Sequence, residues 1–275
     1  MTTTLKSTET VASTGHPVVS REEWIVARRL LLQKEKELTR MYDRLSAERR
    51  ELPWAKIDKH YVFDGPNGKQ TLADLFEGRS QLIVQHFMFA PGWAEGCVGC
   101  SFSADNVDNC LPHLENHDVS FVAISRAPLA EIEAFKKRMD WKFRWLSSNE
   151  SDFNFDYNVS FTKEDEAKGE VYYNFELSKF EIEELPGISI FYKDECGEIY
   201  HTYSAFGRGG ESLVTTYAYL DLTPKGRNEN GPGGNLTDWV RHHDKYKKSG
   251  SVDNTGRYQK AEEASTCCSS KEVKA

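Results

Sequence analysis

The chain has 275 residues, of which 39% are hydrophobic and 28% are charged, a composition typical of a globular protein with a sizeable core. Its formal net charge of −8 argues against a nucleic-acid surface, so small molecules or protein thiols are the expected partners. The longest apolar run is far shorter than the ~20 residues of a membrane span, and the N-terminus lacks a signal-peptide core. These features predict a cytoplasmic protein that binds neither nucleic acid nor membrane. In that compartment its cysteines are thiols or a cycling pair.

The N-terminal part of the chain predicts a disordered arm followed by one long helix. Residues 1–18 are rich in Thr and Ser and lack an apolar period, which is typical of a disordered arm. Over residues 19–54, Ser20 and Glu23 fit a capping box at the helix start, and Pro53 marks the end. An apolar stripe at helical spacing either packs against its own domain or forms the seam of a homodimer. This stripe consists of Trp24, Leu31, Leu38, Met41 and Leu45.

The central part of the chain predicts strands that alternate with helices. The run 82–89 is apolar on both faces, which indicates a covered central strand, and 119–125 is a second strand of the same kind. Between them lie the motif Cys97-Val98-Gly99-Cys100 and a helix predicted from Ser101 to Leu114. The other local patterns predict a strand at 61–64, a short helix at 71–76, a helix from Pro128 and a short strand at 141–145.

The C-terminal part predicts further strands and a last helix. Apolar and polar residues alternate over 153–161, which predicts a strand with one aromatic face, and the acidic residues 162–184 are interpreted as an insertion. Two apolar runs, 188–192 and 199–203, flank a turn and predict a β-hairpin. The last predicted elements are a helix at about 210–220 and a disordered tail at 248–275.

The order of these elements predicts the fold class. Two parallel strands joined by helices, followed by a hairpin and a helix, indicate an α/β fold with a central mixed sheet flanked by helices. Thioredoxin-like folds share this order, with a CxxC motif after a central strand and a proline just before the hairpin. Pro186 occupies that position and is predicted as a cis candidate. We therefore expect a thioredoxin-like domain over 55–247, with an N-terminal helical extension and a flexible C-terminal tail.

Six stretches of the chain carry a family resemblance: 54–64, 86–89, 96–102, 125–128, 151–154 and 219–226. Together they resemble the thioredoxin-like family catalogued as domain of unknown function 899. The resemblance covers roughly residues 20–247 and implies a fold related to peroxiredoxins and disulfide oxidoreductases. It implies no particular substrate.

The CxxC motif is the predicted reactive site. A cysteine at a helix N-terminus lies among unpaired backbone N–H groups, which stabilise the thiolate and lower its pKa. Cys97 is therefore predicted as the nucleophile and Cys100 as the partner that resolves the mixed disulfide. The motif differs from ordinary thioredoxin, because Val98-Gly99 separates the cysteines and Gly96 precedes them. The main prediction is an oxidoreductase that acts on a small thiol, disulfide or electrophilic substrate, or on a protein thiol, with a thiol reductant and no required cofactor.

A peroxiredoxin-like peroxidase is one alternative that uses the same site. A typical peroxiredoxin has a Pro and a Ser or Thr upstream of its peroxidatic cysteine and an Arg nearby. This chain has Pro91, but Trp93-Ala94-Glu95 supplies no hydroxyl. Arg126, just after the second buried strand, is the candidate that would polarise the peroxide.

A metal-binding protein is the alternative from a different class. His86 lies inside an apolar strand and must have a polar partner, and His201 ends the hairpin. If both rings reach Cys97 and Cys100, the four side chains form a soft nitrogen and sulfur site suited to copper or zinc.

The remaining cysteines and histidines carry weaker predictions. Cys110 is expected in the core and Cys196 in a turn, both without a redox role. The vicinal pair Cys267-Cys268 either relays electrons to the CxxC motif, is acylated, or is idle. His242-His243 is expected on a docked, solvated segment.

Overall fold

The computed structural model describes residues 10–11, 15–179, 182–227, 229, 239–248, 250–252 and 258–260. Most of the predicted N-terminal arm, most of the predicted tail and the pair Cys267-Cys268 lie outside these residues. The chain divides into two compact units, Met1–Pro53 and Trp54–Ala275. In the described part of the chain, no helix combines the length and apolar character that a membrane span requires.

The first unit contains a short antiparallel pair, β1 (Thr10–Val11) with β2 (Pro17–Val18), and the helix α1 (Arg21–Arg50). The predicted capping box is confirmed. The Glu23 N–H donates to Ser20 Oγ at 3.2 Å, and the Ser20 N–H donates to Glu23 Oε2 at 3.0 Å. No residue of α1 is buried, so the predicted homodimer seam stays a prediction.

The strands of the second unit are β3 (Ala55–Lys56), β4 (Val62–Gly65), β5 (Gly68–Thr71), β6 (Gln81–His86), β7 (Val119–Ser125), β8 (Arg144–Ser147), β9 (Val171–Tyr173), β10 (Glu176–Ser178), β11 (Gly187–Lys193), β12 (Ile199–Phe206), β13 (Gly250–Val252) and β14 (Tyr258–Lys260). Eight of them form a mixed sheet in the order β3-β12-β11-β6-β7-β8-β4-β5, and β9 with β10 and β13 with β14 form separate two-stranded sheets. The pairs β6–β7 and β7–β8 are parallel, and the hairpin β11–β12 adds antiparallel strands beside β6, as predicted.

Helices cover both faces of this sheet. The α-helices are α2 (Val98–Ala104), α3 (Leu111–Asn116), α4 (Leu129–Arg138), α5 (Phe153–Asp156), α6 (Lys163–Lys168) and α7 (Thr215–Leu220). Shorter 3₁₀ helices lie at Asp74–Phe76, Gly207–Leu213 and His243–Lys248. The predicted last helix is therefore split between a 3₁₀ segment and α7.

The predicted helix from Ser101 to Leu114 is wrong in its limits. Helix α2 begins earlier, at Val98, and a second helix, α3, begins only at Leu111. Pro112 explains the break, because a proline in a continuous helix lacks the N–H and clashes with the carbonyl four residues before it. In the intervening turn the Asp108 carboxylate accepts the backbone N–H groups of Lys142 and Phe143, both at 2.8 Å.

The strand predicted over 153–161 is also wrong, because its first residues form the helical turn α5. In a helical turn, Phe153 and Tyr157 are four residues apart and face the same side. Both are buried, and the Phe153 ring packs edge-on against Phe63 at 5.0 Å between centroids. The Asn154 carbonyl accepts the Val159 N–H at 3.0 Å, so the turn is followed by a tight bend. The aromatic residues thus fill the core, but in a different backbone conformation.

The two central strands are buried on both faces, which confirms them as covered strands. Leu82 and Val84 of β6 join Val122 and Ile124 of β7 in one core cluster. Ala123, between the last two, belongs to a second cluster on the opposite side. This second core contains the CxxC motif.

Candidate functional site

The CxxC motif lies at the N-terminus of α2, after the loop that follows β6. Cys97 is the N-cap of α2, with φ −53° and ψ 132°, and its N–H donates to the Met88 carbonyl at 3.0 Å. The Ser101 hydroxyl and the Ser101 N–H both donate to the Cys97 carbonyl, at 2.8 and 2.9 Å. The motif is therefore attached to the strand on one side and begins the helix on the other.

The two cysteines, both thiols, have different surroundings. Cys97 is half-buried, whereas Cys100 is only 5% exposed and its sulfur accepts the Met88 N–H at 3.5 Å. A hydrogen bond from the Cys100 thiol and the N–H groups of Gly99 and Cys100 lower the pKa of Cys97 to about 7. The same contact with Cys97, together with burial and the charge of Glu184, raises the pKa of Cys100. The pair thus holds one activated thiol and one protonated thiol.

Gly96, which precedes the motif, lies against two buried aromatic rings. A Cβ atom at this position would lie 2.7 Å from Phe87 Cε1 and 2.9 Å from Phe135 Cε1. Its carbonyl accepts a hydrogen bond from His242 Nε2 at 2.9 Å, and the His242 ring packs edge-on against Phe135 at 5.3 Å. The close approach explains why no larger residue precedes Cys97 in this chain.

The loop before Gly96 is held by charged and polar contacts. Glu95 accepts hydrogen bonds from Arg138 at 2.7 Å and from Lys245. Two residues earlier, Trp93 Nε1 donates to Glu183 at 2.8 Å. These contacts fix the loop that brings Cys97 to the cavity beside the sheet.

Both cysteines line a cavity of about 520 Å³. Apolar residues from α2, β11, β12 and α7 form most of its wall, and Gln85 lies beside Cys100, donating from Nε2 to its carbonyl at 3.3 Å. Pro186 lines the same cavity, so the structure brings together Pro186, Cys97 and Cys100. The predicted cis bond is wrong: no peptide bond in the described part of the chain is cis. The trans isomer is the lower-energy form of an X–Pro bond by about 0.5–1 kcal/mol, and a proline ahead of a hairpin does not by itself overcome that preference.

The structure places Arg126 elsewhere. Its guanidinium pairs with Glu184 and, at 3.2 Å, with Glu183, and it lines a separate cavity with Trp93 and Phe155. Glu184 is 1% exposed and also accepts the Ser160 hydroxyl at 2.9 Å. Burial raises the pKa of Glu184 to about 7, although Arg126 acts in the opposite direction. Arg126 is thus an ion-pair partner and does not line the cavity with the cysteines.

Of the two candidate histidines, His86 lines the cavity of the two cysteines but its ring packs in the first core, and His201 lines a different cavity. His86 Nε2 is 2.7 Å from Ser189 Oγ, Ser189 Oγ is 2.8 Å from Ser204 Oγ, and Ser204 Oγ is 2.7 Å from His201 Nε2. The His86 ring stacks on Phe153 at 5.6 Å in the first core cluster, whereas Cys100 belongs to the second. Within the described residues, no three or more His, Cys, Asp or Glu side chains form a metal-binding group. Cys97, Cys100 and His86 thus border one cavity without forming a metal-binding group, and His201 is not at that cavity.

The other cysteines lie outside this site. Cys110 is exposed at the start of α3, so its predicted core position is wrong, because the break before α3 turns it outward. Cys196 is exposed in the turn between β11 and β12. Cys267 and Cys268 lie outside the described residues.

Sequence reasoning missed three residues at the site. Gln85 was hidden within an apolar run, Glu184 within an acidic stretch, and His242 was expected to be solvated although it is 6% exposed. The one usable hint was Gln85 itself, because a polar residue inside a covered strand needs a partner.

The fold and the paired thiols define a thioredoxin-like α/β protein, with a mixed sheet flanked by helices and CxxC at the start of a helix. The chain belongs to the family described as "Bacterial protein of unknown function (DUF899)", which it matches over residues 13–246. The family resemblance of the sequence is thereby confirmed.

Several solved structures are similar to this chain. Peroxidoxin BcpB from Mycobacterium tuberculosis is 11% identical, with a TM-score of 0.41 over 62% of this chain and 97% of that chain. Peroxiredoxin Q from Xanthomonas campestris is 11% identical, with a TM-score of 0.40 over 58% and 89%. The reduced 2-Cys peroxiredoxin from Plasmodium vivax is 14% identical, with a TM-score of 0.36 over 62% and 93%. No curated protein matches the chain.

Proposed function

We propose that this protein is a thiol–disulfide oxidoreductase in which Cys97 is the nucleophile and Cys100 the resolving thiol. The observation that carries the proposal is the difference between the two thiols at one cavity. Cys97 is half-buried with a pKa lowered to about 7 by the Cys100 hydrogen bond, whereas Cys100 is buried with a raised pKa. A thiol with a pKa near ambient pH is the best attacking group, because it is both ionised and nucleophilic.

The reaction transfers two electrons from the dithiol to a disulfide. The Cys97 thiolate attacks one sulfur of the substrate, the substrate S–S bond breaks, and one substrate thiolate leaves. The Cys100 sulfur then attacks the mixed disulfide at Cys97, and its proton goes to the second departing thiolate. The products are two substrate thiols and a Cys97–Cys100 disulfide, which an external thiol reductant reduces again. Pro186 lines the cavity beside both sulfurs and is proposed to shape the substrate position.

The proposed setting follows from the same chemistry. We expect a small thiol, disulfide or electrophilic substrate, or a protein thiol, in the reducing cytoplasm, with no required cofactor. The proposal includes a homodimer formed through α1.

The alternatives have weaker support. For the peroxidase, Arg126 would have to reach the peroxide, but it pairs with Glu183 and Glu184 at another cavity. For copper or zinc binding, the rings of His86 and His201 would have to turn toward the cysteines, but the Nε2 atoms of these rings contact the hydroxyls of Ser189 and Ser204.

Single-turnover reduction of a disulfide by the reduced protein tests the proposal. We expect Cys97→Ser to abolish the reaction, and Cys100→Ser to stop it at a mixed disulfide on Cys97 that mass spectrometry detects. Cys196→Ser is the matched control, because Cys196 is an exposed thiol in a turn. Full turnover by Cys97→Ser would rule out the proposed nucleophile.

A further inference from the structure

The cavity beside Cys97 has a floor formed by three adjacent strands. Gln85 of β6 pairs with Ile188 of β11, which pairs with Ala205 of β12. Residues paired across strands direct their side chains to the same face of a sheet, and all three line the cavity. Gln85 is the floor residue nearest the motif, and its Nε2 donates a hydrogen bond to the Cys100 carbonyl.

The walls of the cavity are mainly apolar. Met88, Phe102, Val214 and Tyr217 all line it. Phe102 and Tyr217 are buried and pack edge-on at 5.3 Å. A volume of about 520 Å³ lies within the roughly 300–1,000 Å³ typical of sites for small organic molecules. Such a cavity favours an apolar body over a hydrated one.

One buried acceptor in this cavity has no partner. Gln85 is 5% exposed, and its Oε1 has no hydrogen-bond partner among the described residues and less than 1 Å² of accessible surface, so a ligand donor reaches it only after a small shift of the side chain toward the cavity. The amide orientation is determined, because the Cys100 carbonyl can only accept and must therefore face the NH₂ group. A buried acceptor without a partner costs free energy, and a ligand that donates a hydrogen bond removes this cost.

Most of the charged groups at the rim form ion pairs with one another. Glu211 contacts Arg208 at 3.1 Å and Arg227 at 2.8 Å, and Glu229 accepts the Tyr217 hydroxyl at 2.9 Å. Two bonds, at 2.7 Å each, also join Arg227 to Asp221. Arg208 and Arg227 are therefore neutralised by carboxylates of the protein, so the rim offers an anionic ligand no free cation among the described residues.

Resting on the proposed function, we infer that the substrate is a small, uncharged, apolar organic disulfide that carries a hydrogen-bond donor. Its body fills the cavity, its donor binds Gln85 Oε1, and its S–S bond lies at Cys97. Attack by the Cys97 thiolate breaks that S–S bond and releases one organic thiolate. The Cys100 sulfur then attacks the mixed disulfide at Cys97 and releases the other half as a thiol. An external dithiol reduces the resulting Cys97–Cys100 disulfide and so supplies the two electrons for the next cycle.

Single-turnover kinetics with three disulfides test this inference. Bis(2-aminophenyl) disulfide carries N–H donors, diphenyl disulfide lacks them, and oxidised glutathione is charged and hydrophilic. Each rate constant is divided by that of free N-acetylcysteine, which removes intrinsic reactivity. We expect the normalised rate for the aminophenyl compound to exceed that for glutathione at least about tenfold, because apolar area is buried. We expect it to exceed that for diphenyl disulfide about fivefold, and Gln85→Met to remove this second preference.

Two substitutions from different walls test the position of the ligand. Ala205→Phe and Ser103→Phe both extend a ring into the cavity. Each is expected to lower the ratio of the aminophenyl rate to the glutathione rate about tenfold, because a ring displaces the ligand body. Ala130→Phe on the exposed side of α4 is the matched control and leaves the ratio unchanged. Urea unfolding shows which variants are folded, and an unchanged ratio in both folded cavity variants overturns the inference.

Calorimetric binding of bis(2-aminophenyl) disulfide to Cys97→Ser separates this inference from the proposed function. Binding by Cys97→Ser with no reaction of the wild type supports the ligand class and overturns the redox proposal. Reduction of glutathione disulfide by the wild type, with no aromatic preference and no binding, overturns the ligand class and leaves the redox proposal standing.

Discussion

The chemical difference between Cys97 and Cys100 arises from a few contacts around each sulfur. Cys97 receives hydrogen bonds from its partner and from the first N–H groups of α2, which favour the thiolate. Cys100 is enclosed by the core and receives only the Met88 N–H. Because Cys100 is buried and keeps its proton, Cys97 is the sulfur that can attack first.

The first prediction concerns the ionisation of Cys97. With a pKa of about 7, its alkylation by iodoacetamide should be about tenfold slower at pH 6 than at pH 8, because only the thiolate reacts. Peptide mass spectrometry measures the rate at this cysteine. Cys100→Ala should move the midpoint to higher pH, because it removes the largest stabilising contact of the thiolate. Cys196→Ala should leave the midpoint unchanged, and a pH-independent rate between pH 6 and 8 would contradict the assignment.

The second prediction concerns Gly96. Gly96→Ala should lower the free energy of unfolding by about 1–3 kcal/mol, because its Cβ meets two buried rings that have little room to move. Gly210→Ala is the control, since its Cβ would lie 3.8 Å from Ile188 Cδ1, an ordinary contact, and should change stability by less than about 0.5 kcal/mol. Urea unfolding of the two variants measures the difference, and equal stabilities would show that the loop relaxes.

At the scale of elements, the site is assembled from segments far apart in the chain. The loop before Cys97, the end of β7 and the stretch before β11 meet in one cluster of Trp93, Arg126, Glu183 and Glu184. A second cluster joins Glu95 and Gly96 to the segment with His242. The position of the motif therefore depends on these contacts as well as on α2.

The third prediction concerns the cluster around Arg126. Glu184→Ala should destabilise the protein by about 3 kcal/mol, because it leaves a largely buried guanidinium without its main partner. Glu183→Ala should cost less than about 1 kcal/mol, because the Glu183 side chain is 42% exposed. Thermal or urea unfolding compares the two. A larger loss of stability in Glu183→Ala than in Glu184→Ala would show that Glu183, and not Glu184, is the main partner of Arg126.

At the scale of the whole molecule, the buried histidine pair of the sheet makes stability depend on pH. Burial, with a smaller effect of His201, lowers the pKa of His86 to about 3. Between about pH 3 and 6.5 the unfolded chain therefore binds a proton that the native protein does not, and stability rises with pH. Glu184 acts in the opposite direction, because its pKa is raised to about 7 and the native state holds the extra proton above pH 4.5.

The fourth prediction isolates the effect of His86. Between pH 7 and pH 5 the wild type should lose about 2 kcal/mol of stability relative to His86→Phe, because only the wild type has this histidine to protonate on unfolding. Glu184 is present in both proteins and cancels in the comparison. Urea unfolding at the two pH values measures the difference. His113→Gln, at an exposed position of α3, should behave as the wild type does, and a constant gap for His86→Phe would contradict the assignment.

Local patterns in the sequence predicted the elements that depend on neighbouring residues. The capping box at Ser20, the apolar runs of β6 and β7 and the hairpin β11–β12 were all readable, because each is decided within a few residues. The segment 153–161 was misread, since alternation of aromatic residues there satisfies a helical turn that buries Phe153 and Tyr157 equally well. The break after α2 was missed although Pro112 was visible.

The sequence by itself determined that this is a thioredoxin-like chain with CxxC between a covered strand and a helix, because strand, motif and helix are contiguous. It also implied that Gln85 and His86, as neighbours on a strand, point to opposite faces. Which face α2 covers depends on packing between distant segments, and only the tertiary structure decided it. That choice put Gln85 beside Cys100 and His86 beside Ser189, and it brought His242 to Gly96 across 146 residues of chain. Such contacts cannot be predicted from the local sequence, because the residues around each partner are compatible with many different neighbours in the fold.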